Sequence, residues 1–377
     1  MKTNPETSTQ EAERNAPPKI PQQSTRKRSS YLPTLDGWRA IAIVIVMLDH
    51  SPTLALGPFN SNLFHGMGNF GVQVFFAISG LLICSRLLDE EEKTGTLQIR
   101  SFYIRRLFRI QPAALAYLGF ILLLTVFHRL PLYTSGMVTA AILVRNFWGM
   151  DLRNTFTVGW PTVHYWSLSV EEHFYLVLPS LLFFVKRWRA EVLLGLALIG
   201  FGWRAFLLSN RATSLFSVEV RTDTCLCYLF LAAGTAVLLR HESIRKFATR
   251  YIRSFVVLPV ALLLVLAHGR ITALSALIPI FMVISTMLRP NDLVSKFLES
   301  APLRFIGRIS YSAYLWQEVF LTGNWAPTIR PFGWLNTSLL VWPAVFGTAI
   351  ASYYLIEKPF IRLGHRLAPS ATQGRPI

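Results

Sequence analysis

Charged residues are scarce in this chain of 377 residues, at 15% of the sequence against 52% hydrophobic residues. A soluble protein of this composition would aggregate, so the composition favours a membrane protein. Acidic residues are the scarcer charge, with 20 Asp and Glu against 37 Lys and Arg. The net charge of +17 does not indicate nucleic-acid binding, because the basic residues form short groups between apolar blocks, as in the cytoplasmic loops of membrane proteins.

Cysteine is also rare. Cys84, Cys225 and Cys227 are too few for a disulfide framework, and all three lie in apolar surroundings. The Cys225-x-Cys227 pair could form half of a metal site, but we expect buried free thiols and assign no metal. No cleavable signal peptide precedes the first apolar block, which we therefore expect to be a retained signal anchor.

Eleven apolar blocks follow a polar N-terminal segment. We expect residues 1–30 to be a disordered cytoplasmic tail, 31–365 to form one transmembrane domain, and 366–377 to be a second disordered cytoplasmic tail. The apolar blocks lie at 38–56, 69–84, 112–127, 137–148, 166–185, 190–208, 224–239, 255–267, 271–288, 306–321 and 335–356. The sequence therefore predicts an all-α fold, a polytopic transmembrane helix bundle.

The block at 137–148 is the weakest, and we interpret it as a short non-spanning or re-entrant segment. With ten spanning helices and both termini inside, 29 of the 37 Lys and Arg residues fall on the cytoplasmic side and seven outside. Eleven spans would instead place Lys186, Arg187 and Arg189 outside. We predict about ten spanning helices in the inner, cytoplasmic membrane. No internal repeat is visible, which weighs against inverted-repeat transporter folds.

An ionisable pair, Asp49 and His50, lies near the end of the first apolar block. Such a pair is costly to hold within a bilayer and marks a site of chemistry or transport. Arg39 precedes His50 by eleven residues, so the two lie about 16 Å apart along one helix. That separation is similar to the reach of an extended pantetheine arm. Arg39 is equally compatible with a side chain that only snorkels to the membrane surface.

A second basic group, Arg105, Arg106 and Arg109, follows the second apolar block. On a helix, Arg106 and Arg109 share a face, and Arg105 lies one turn from Arg109. Such a cluster can bind phosphate groups. The alternative is a stop-transfer charge block or an anchor for lipid headgroups.

Polar residues on other blocks reach the depth of His50, about 18 Å from the cytoplasmic face. Counted along their helices, Glu171 lies at about 22 Å and Gln317 and Glu318 at about 16–18 Å. A carboxylate beside an imidazole fixes its tautomer and raises its basicity, as general base catalysis requires.

The segment that carries Glu171 also carries a second carboxylate, Glu172. Ser169 and Glu172 have the spacing of a helix capping box, which gives Glu172 a structural explanation. Glu171 has no such explanation, so Glu171 is the candidate for chemistry.

Six motifs occur in a fixed order along the chain. They are Leu35-Asp-Gly-Trp-Arg-Ala-Ile-Ala, Gly71-Val-Gln-Val-Phe-Phe-Ala-Ile-Ser-Gly80, Tyr103-Ile-Arg-Arg-Leu-Phe-Arg-Ile-Gln-Pro112, Trp166-Ser-Leu-Ser-Val-Glu-Glu-His-Phe-Tyr175, Ser310-Tyr-Ser-Ala-Tyr-Leu-Trp316 and Ile356-Glu-Lys-Pro359. With these motifs the chain resembles the integral-membrane acyltransferase-3 family, from Leu35 to about Leu363.

The resemblance implies transfer of a short acyl group, with acetyl expected, from acyl-CoA to a hydroxyl of a carbohydrate or cell-surface glycan such as a polysaccharide, lipopolysaccharide or peptidoglycan. His50 then matches the catalytic general base, oriented by Glu171 or Asp49. The residues expected to bind the donor are Arg39, Arg105, Arg106 and Arg109. Acyl-CoA is a co-substrate, and no bound cofactor is expected.

Two positions depart from the family pattern. Asp49 stands where many members carry an apolar or aromatic residue, and Gln317-Glu318 stands where a histidine often follows Leu-Trp. We take Gln317, Glu318 and Tyr314 as candidates on the acceptor side. The alternative function is a proton-coupled transporter or flippase of a glycan or lipid-linked precursor, which would use Asp49, His50 and Glu171 as a proton relay.

Overall fold

Helices make up most of the described residues in this computed structural model, and no strand occurs among them. The structure describes residues 32–51, 66–147, 160–209, 215–266, 277–321 and 330–369. The predicted tail at 1–30 lies outside the described residues. Most of the predicted tail at 366–377 does too, although the last described helix continues to Leu367.

Each of the eleven predicted apolar blocks overlaps one of the α-helices that the structure describes. The α-helices of the described residues, numbered in chain order, are α1 Pro33–His50, α2 Gly68–Thr94, α3 Ile99–Val126, α4 Thr134–Ala141, α5 Tyr165–Phe184, α6 Arg189–Ser209, α7 Leu215–Val220, α8 Thr222–Leu238, α9 Glu242–Tyr251, α10 Ser254–Leu266, α11 Leu277–Met287, α12 Leu293–Leu298, α13 Ala301–Phe320, α14 Val341–Ser352 and α15 Lys358–Leu367. Two 3₁₀ helices, Trp160–Thr162 and Gly333–Thr337, and a π-helical turn, Tyr353–Glu357, complete the described helical structure.

Three of these helices, α2, α3 and α6, are long and apolar enough to cross a membrane. A fourth span results if α8 and α9, which meet at a bend of 111°, form one broken crossing. The predicted number of ten spans is therefore not established by helix length and composition. Helix α1 carries several charged side chains, and α11 and α14 have only 11 and 12 residues. Helix α4, in the block predicted not to span, has eight residues.

The core is built around α1 and α2. Helix α1 packs against α2 and α13, while α2 also packs against α8, which in turn contacts α6. Two glycines permit these close approaches. A methyl group on Gly307 of α13 would collide with the backbone carbonyl of Asp36, and a Cβ on Gly80 of α2 would lie 2.6 Å from the Leu229 oxygen. Small residues at such crossings let membrane helices approach closely.

Ion pairs cluster at the C-terminal end of α2. Glu91 accepts two hydrogen bonds from Arg189 at 2.6 and 2.9 Å, and Glu90 pairs with Arg105 at 3.0 Å. Arg240 reaches Glu92 at 2.9 Å on the same end of the helix. This end of the bundle is therefore polar, and it is the end that the charge pattern assigns to the cytoplasm.

The predicted capping box at Ser169 is wrong. Helix α5 begins at Tyr165, so Ser169 lies inside the helix, where its hydroxyl donates to the Tyr165 carbonyl at 2.9 Å. The helix extends to this point because the aromatic residues before Ser169 are buried. The Tyr165 hydroxyl, for example, donates to the Ala114 carbonyl of α3 at 2.7 Å.

Candidate active site

His50, the last residue of α1, meets two polar residues of α13. Its Nδ1 lies 3.0 Å from Gln317 Oε1 and 3.3 Å from Glu318 Oε2. Gln317 Nε2 also donates to Glu318 Oε2 at 3.0 Å. Gln317 and Glu318 are both buried, so the three side chains form a polar cluster inside the bundle.

The partners of His50 assign its tautomer. Gln317 turns its NH₂ group toward Glu318, so its carbonyl oxygen faces the imidazole. Both groups at Nδ1 are acceptors, which places a ring proton on Nδ1, so that in the neutral imidazole the lone pair is on Nε2. Within the described residues no hydrogen bond reaches Nε2, and the His50 side chain is 22% exposed. A neutral imidazole with an accessible Nε2 can accept a proton from a hydroxyl group.

Neither Asp49 nor Glu171 contacts His50 through a hydrogen bond. Asp49 Oδ1 accepts from the Gly66 amide at 2.6 Å. Glu171 accepts from the Ser79 hydroxyl at 2.9 Å and from the Tyr175 hydroxyl at 2.8 Å. The prediction that Glu171 or Asp49 orients His50 is thus corrected: the carboxylate beside the imidazole belongs to Glu318.

Glu171 instead lines a cavity enclosed by α1, α2, α3, α5 and α13. The cavity extends along the helices, as the spacing of its lining residues shows. Helix α2 contributes a residue at about every turn of one face, from Val72 through Phe75 and Ser79 to Leu82. The other polar and aromatic lining residues are Arg39, Phe76, Arg106, Arg109, Ser167, Glu171, Tyr175, Ser310, Tyr311 and Tyr314.

Three arginines face this cavity. Arg39 forms an ion pair with Asp36 at 3.1 Å, and the Arg106 guanidinium lies over the Tyr175 ring, 4.2 Å from its centroid. Within the described part of the chain, neither Arg106 nor Arg109 forms an ion pair or a hydrogen bond. The guanidinium groups are close enough to repel one another. A cavity with this excess of positive charge suits an anion, and guanidinium groups bind phosphate well.

Arg105 lies outside the cavity. Its guanidinium donates to both carboxylate oxygens of Glu90, at 3.0 and 3.3 Å, and to the Ala368 carbonyl at 3.4 Å. Consecutive helix residues point about 100° apart, so Arg105 and Arg106 cannot face one ligand on the same side of α3. Arg105 therefore does not line the cavity with the other predicted donor-binding residues, although its guanidinium lies near enough to Arg86 to repel it.

Positive charge at this end of the bundle extends beyond the predicted residues. Arg86 of α2 lies near enough to Arg39, Arg106 and Arg109 to be repelled by them, which the sequence analysis did not anticipate. On α15, burial and the neighbouring guanidinium groups of Arg105, Arg109 and Arg86 lower the pKa of His365. The spacing of Arg86 and Ser79 along one helix could have indicated that Arg86 faces the same space.

Tyr314 lies between the cavity and the His50 cluster. It lines the cavity, and on α13 it precedes Glu318 by one helical turn. Its hydroxyl is 2.6 Å from the Ser167 hydroxyl and donates to the His164 carbonyl at 3.2 Å. The imidazole of His164 is buried beside Glu318, a position that the sequence analysis missed.

Comparison with known proteins places these residues in a family. A family model described as an acyltransferase domain matches residues 32–358, which include both the His50 cluster and the arginine-lined cavity. The chain belongs to the acyltransferase-3 family. No solved structure matches this acyltransferase-3 chain.

Two curated relatives of this acyltransferase-3 member are named O-acetyltransferases. The peptidoglycan O-acetyltransferase OatA of Listeria monocytogenes is 28% identical, over 91% of this chain and 58% of the relative. The O-acetyltransferase OatA of Staphylococcus aureus is 30% identical, over 89% of this chain and 58% of the relative. The chain thus spans a little over half the length of these relatives.

Proposed function

We propose that this protein is a membrane-bound O-acyltransferase that moves a short acyl group, with acetyl expected, from acyl-CoA to a hydroxyl of a cell-surface glycan. The names of both relatives support acetyl as the group, and the name of the Listeria relative supports a glycan as the acceptor class. The family and the long apolar helices support a membrane location. In this proposal the arginine end faces the cytoplasm of the cell, where acyl-CoA is available.

The donor binds along the cavity. Arg39, Arg106 and Arg109 hold its phosphate groups at the cytoplasmic end, and the pantetheine arm passes Tyr175 toward His50. The distance from Arg39 to His50 along α1 is about 16 Å, which this arm can cover. Aromatic and aliphatic residues of α2 line one side of the cavity, as suits the uncharged arm.

His50 acts as the general base. Its Nε2 takes the proton of the acceptor hydroxyl while the hydroxyl oxygen bonds to the thioester carbonyl carbon. The carbon–sulfur bond then breaks, and the leaving thiolate takes the proton back from Nε2, which releases the ester and free CoA. Glu318 balances the charge of the transient imidazolium. The observation that supports the proposal is the contact of Nδ1 with Gln317 and Glu318, which leaves Nε2 without a hydrogen bond among the described residues and available to accept a proton.

Binding of labelled acetyl-CoA to the purified protein in lipid nanodiscs tests the donor site. We expect saturable binding that unlabelled CoA competes away and that weakens about tenfold or more in Arg106→Ala, since a guanidinium–phosphate contact is lost. Arg105→Ala is the matched control, because Arg105 is paired with Glu90 outside the cavity. If acetyl-CoA does not bind saturably and the protein instead moves a glycan precursor across the bilayer in response to a proton gradient, the alternative function of a transporter or flippase is established.

A further inference from the structure

His164 lies at the N-terminus of α5, immediately beside the His50 cluster. Its Nδ1 is 4.0 Å from Glu318 Oε2, the same oxygen that lies 3.3 Å from His50 Nδ1. One carboxylate oxygen therefore faces two imidazoles, from α1 and from the start of α5. The two histidines differ in exposure, with side-chain values of 22% for His50 and 1% for His164.

The imidazole of His164 has no hydrogen-bond partner in the described structure. Both ring nitrogens are buried and unpaired, although a buried polar atom normally has a partner. The ring is enclosed edge-on by the rings of Tyr117, Tyr165 and Tyr314, whose centroids lie 4.9 to 5.6 Å away. Apart from these tyrosines, the ionisable groups that act on it are Glu318, His50 and, more weakly, Arg145.

Packing does not explain this arrangement. An apolar side chain in the tyrosine enclosure would avoid the cost of two buried, unpaired nitrogens. The Glu318 carboxylate, 4.0 Å from Nδ1, can compensate that cost, and hydrogen bonds at catalytic sites often shorten only when substrates bind. A small rotation of the carboxylate or the imidazole would close the 4.0 Å gap to hydrogen-bond length.

We propose that His164 is a positioning residue that donates from Nδ1 to Glu318 and so holds this carboxylate, ionised and oriented, against His50. The inference rests on the proposed function, in which His50 takes the proton of the acceptor. When His50 becomes an imidazolium, Glu318 must be a carboxylate to stabilise it. His164 itself contacts neither substrate and remains neutral throughout the reaction.

The test compares two amides at position 164. In His164→Asn the amide nitrogen occupies the place of Nδ1 and can still donate to Glu318, whereas in His164→Gln it reaches the place of Nε2, on the far side of the ring. The two variants have similar polarity and burial, so they carry a similar risk of misfolding. We measure transfer of labelled acetyl from acetyl-CoA to an extracted cell-envelope glycan fraction, with variants purified in nanodiscs.

We expect His164→Asn to retain kcat within about threefold, and His164→Gln to lose about tenfold to a hundredfold, the equivalent of one hydrogen bond to a charged group. The KM for acetyl-CoA should be unchanged in both, because the cavity arginines are untouched. His173→Gln, on the same helix but bonded to Thr222, is the control and should behave as the unmodified protein. An equal loss in the Asn and Gln variants would overturn the proposal, as would no loss in either.

A double-mutant cycle separates this role from general destabilisation. If His164 acts through Glu318, His164→Gln should cause no further loss in a Glu318→Gln background, and equal losses in both backgrounds would contradict the proposal. The same set of variants also distinguishes failure of the proposed function from failure of the role inferred for His164. If the unmodified protein transfers no acetyl, the proposed function fails, and if His50→Ala and Glu318→Gln both keep full transfer, the assignment of His50 as the base fails. If both lose transfer while every His164 variant is normal, only this inference fails.

Discussion

Glu318→Gln tests the geometry of the candidate base with a nearly isosteric change. The carboxylate lies 3.3 Å from His50 Nδ1, where it stabilises the imidazolium that forms when the acceptor is deprotonated. A hydrogen bond to a charged group contributes about 1.5–3 kcal/mol, which corresponds to a rate factor of about 10–150. Loss of the correct tautomer would cost more, as shown by the factor of about 10⁴ lost in a Ser-His-Asp protease whose aspartate is replaced by asparagine.

The position of Gln317 determines which of these two rate factors applies to Glu318→Gln. Gln317 Oε1 still accepts from Nδ1 at 3.0 Å after the change, so the tautomer is held and the smaller factor applies. We therefore expect kcat to fall about 10- to 150-fold with the acetyl-CoA KM unchanged. The measurement is steady-state transfer of labelled acetyl by protein in nanodiscs.

Asp49→Asn is the matched control for this prediction. Asp49 is the other carboxylate next to His50, but its oxygen accepts from the Gly66 amide at 2.6 Å, a bond that the Asn carbonyl can keep. We expect kcat within about threefold of the unmodified protein, as for a neutral hydrogen bond that is weakened but retained. If Asp49→Asn loses as much as Glu318→Gln, or if neither loses activity, the assignment of Glu318 as the partner of His50 is refuted.

Two further predictions concern the cavity and the helix crossing. Arg109→Ala should raise the acetyl-CoA KM about tenfold with little change in kcat, whereas Arg105→Ala should leave this KM nearly unchanged. Steady-state kinetics checks both, and equal KM values in the two variants would contradict the assignment of Arg109, and not Arg105, to the donor site. Gly307→Ala should lower the thermal unfolding temperature and the yield of folded protein, because its methyl group meets the Asp36 carbonyl. Gly119→Ala is the control, because a methyl group there meets no neighbouring atom within 4 Å, and it should leave the unfolding temperature unchanged. Equal unfolding temperatures for the two variants would contradict the close approach of Gly307 to Asp36.

The sequence predicts the helices well because hydrophobicity is a local property. Every apolar block overlaps a described helix, and the weakest block, at 137–148, overlaps only the end of the eight-residue helix Thr134–Ala141. It predicts helix ends less well. The start of α5 at Tyr165 depends on the burial of aromatic side chains against other helices, which no local capping pattern at Ser169 reveals.

The sequence predicts how deep each candidate residue lies in the bundle, but it does not predict which neighbouring helix its side chain faces. Counting residues along each helix placed His50, Glu171 and Glu318 in one layer, yet only Glu318 faces the imidazole. Which side of a helix meets which neighbour depends on contacts such as that between His50 and Gln317, which are 267 residues apart in the chain. The same limit explains Arg105, which was predicted to bind the donor and is turned toward Glu90.

His164 shows a second limit. Its sequence position, two residues before the tryptophan of a family motif, gives no reason to connect it with Glu318. The connection follows only from the packing of α5 against α13, which brings Ser167 and Tyr314 into contact and places the His164 ring beside the carboxylate. Pairings between distant helices of this kind require the folded structure.

The most direct test of the central claim is acetyl transfer by His50→Ala, measured together with acetyl-CoA binding on the same preparation. General base assistance contributes about 10²–10⁴ in rate, so we expect transfer to fall below detection while the acetyl-CoA Kd stays unchanged, because the arginine end of the cavity is intact. Transfer at the rate of the unmodified protein would contradict the claim that His50 is the base.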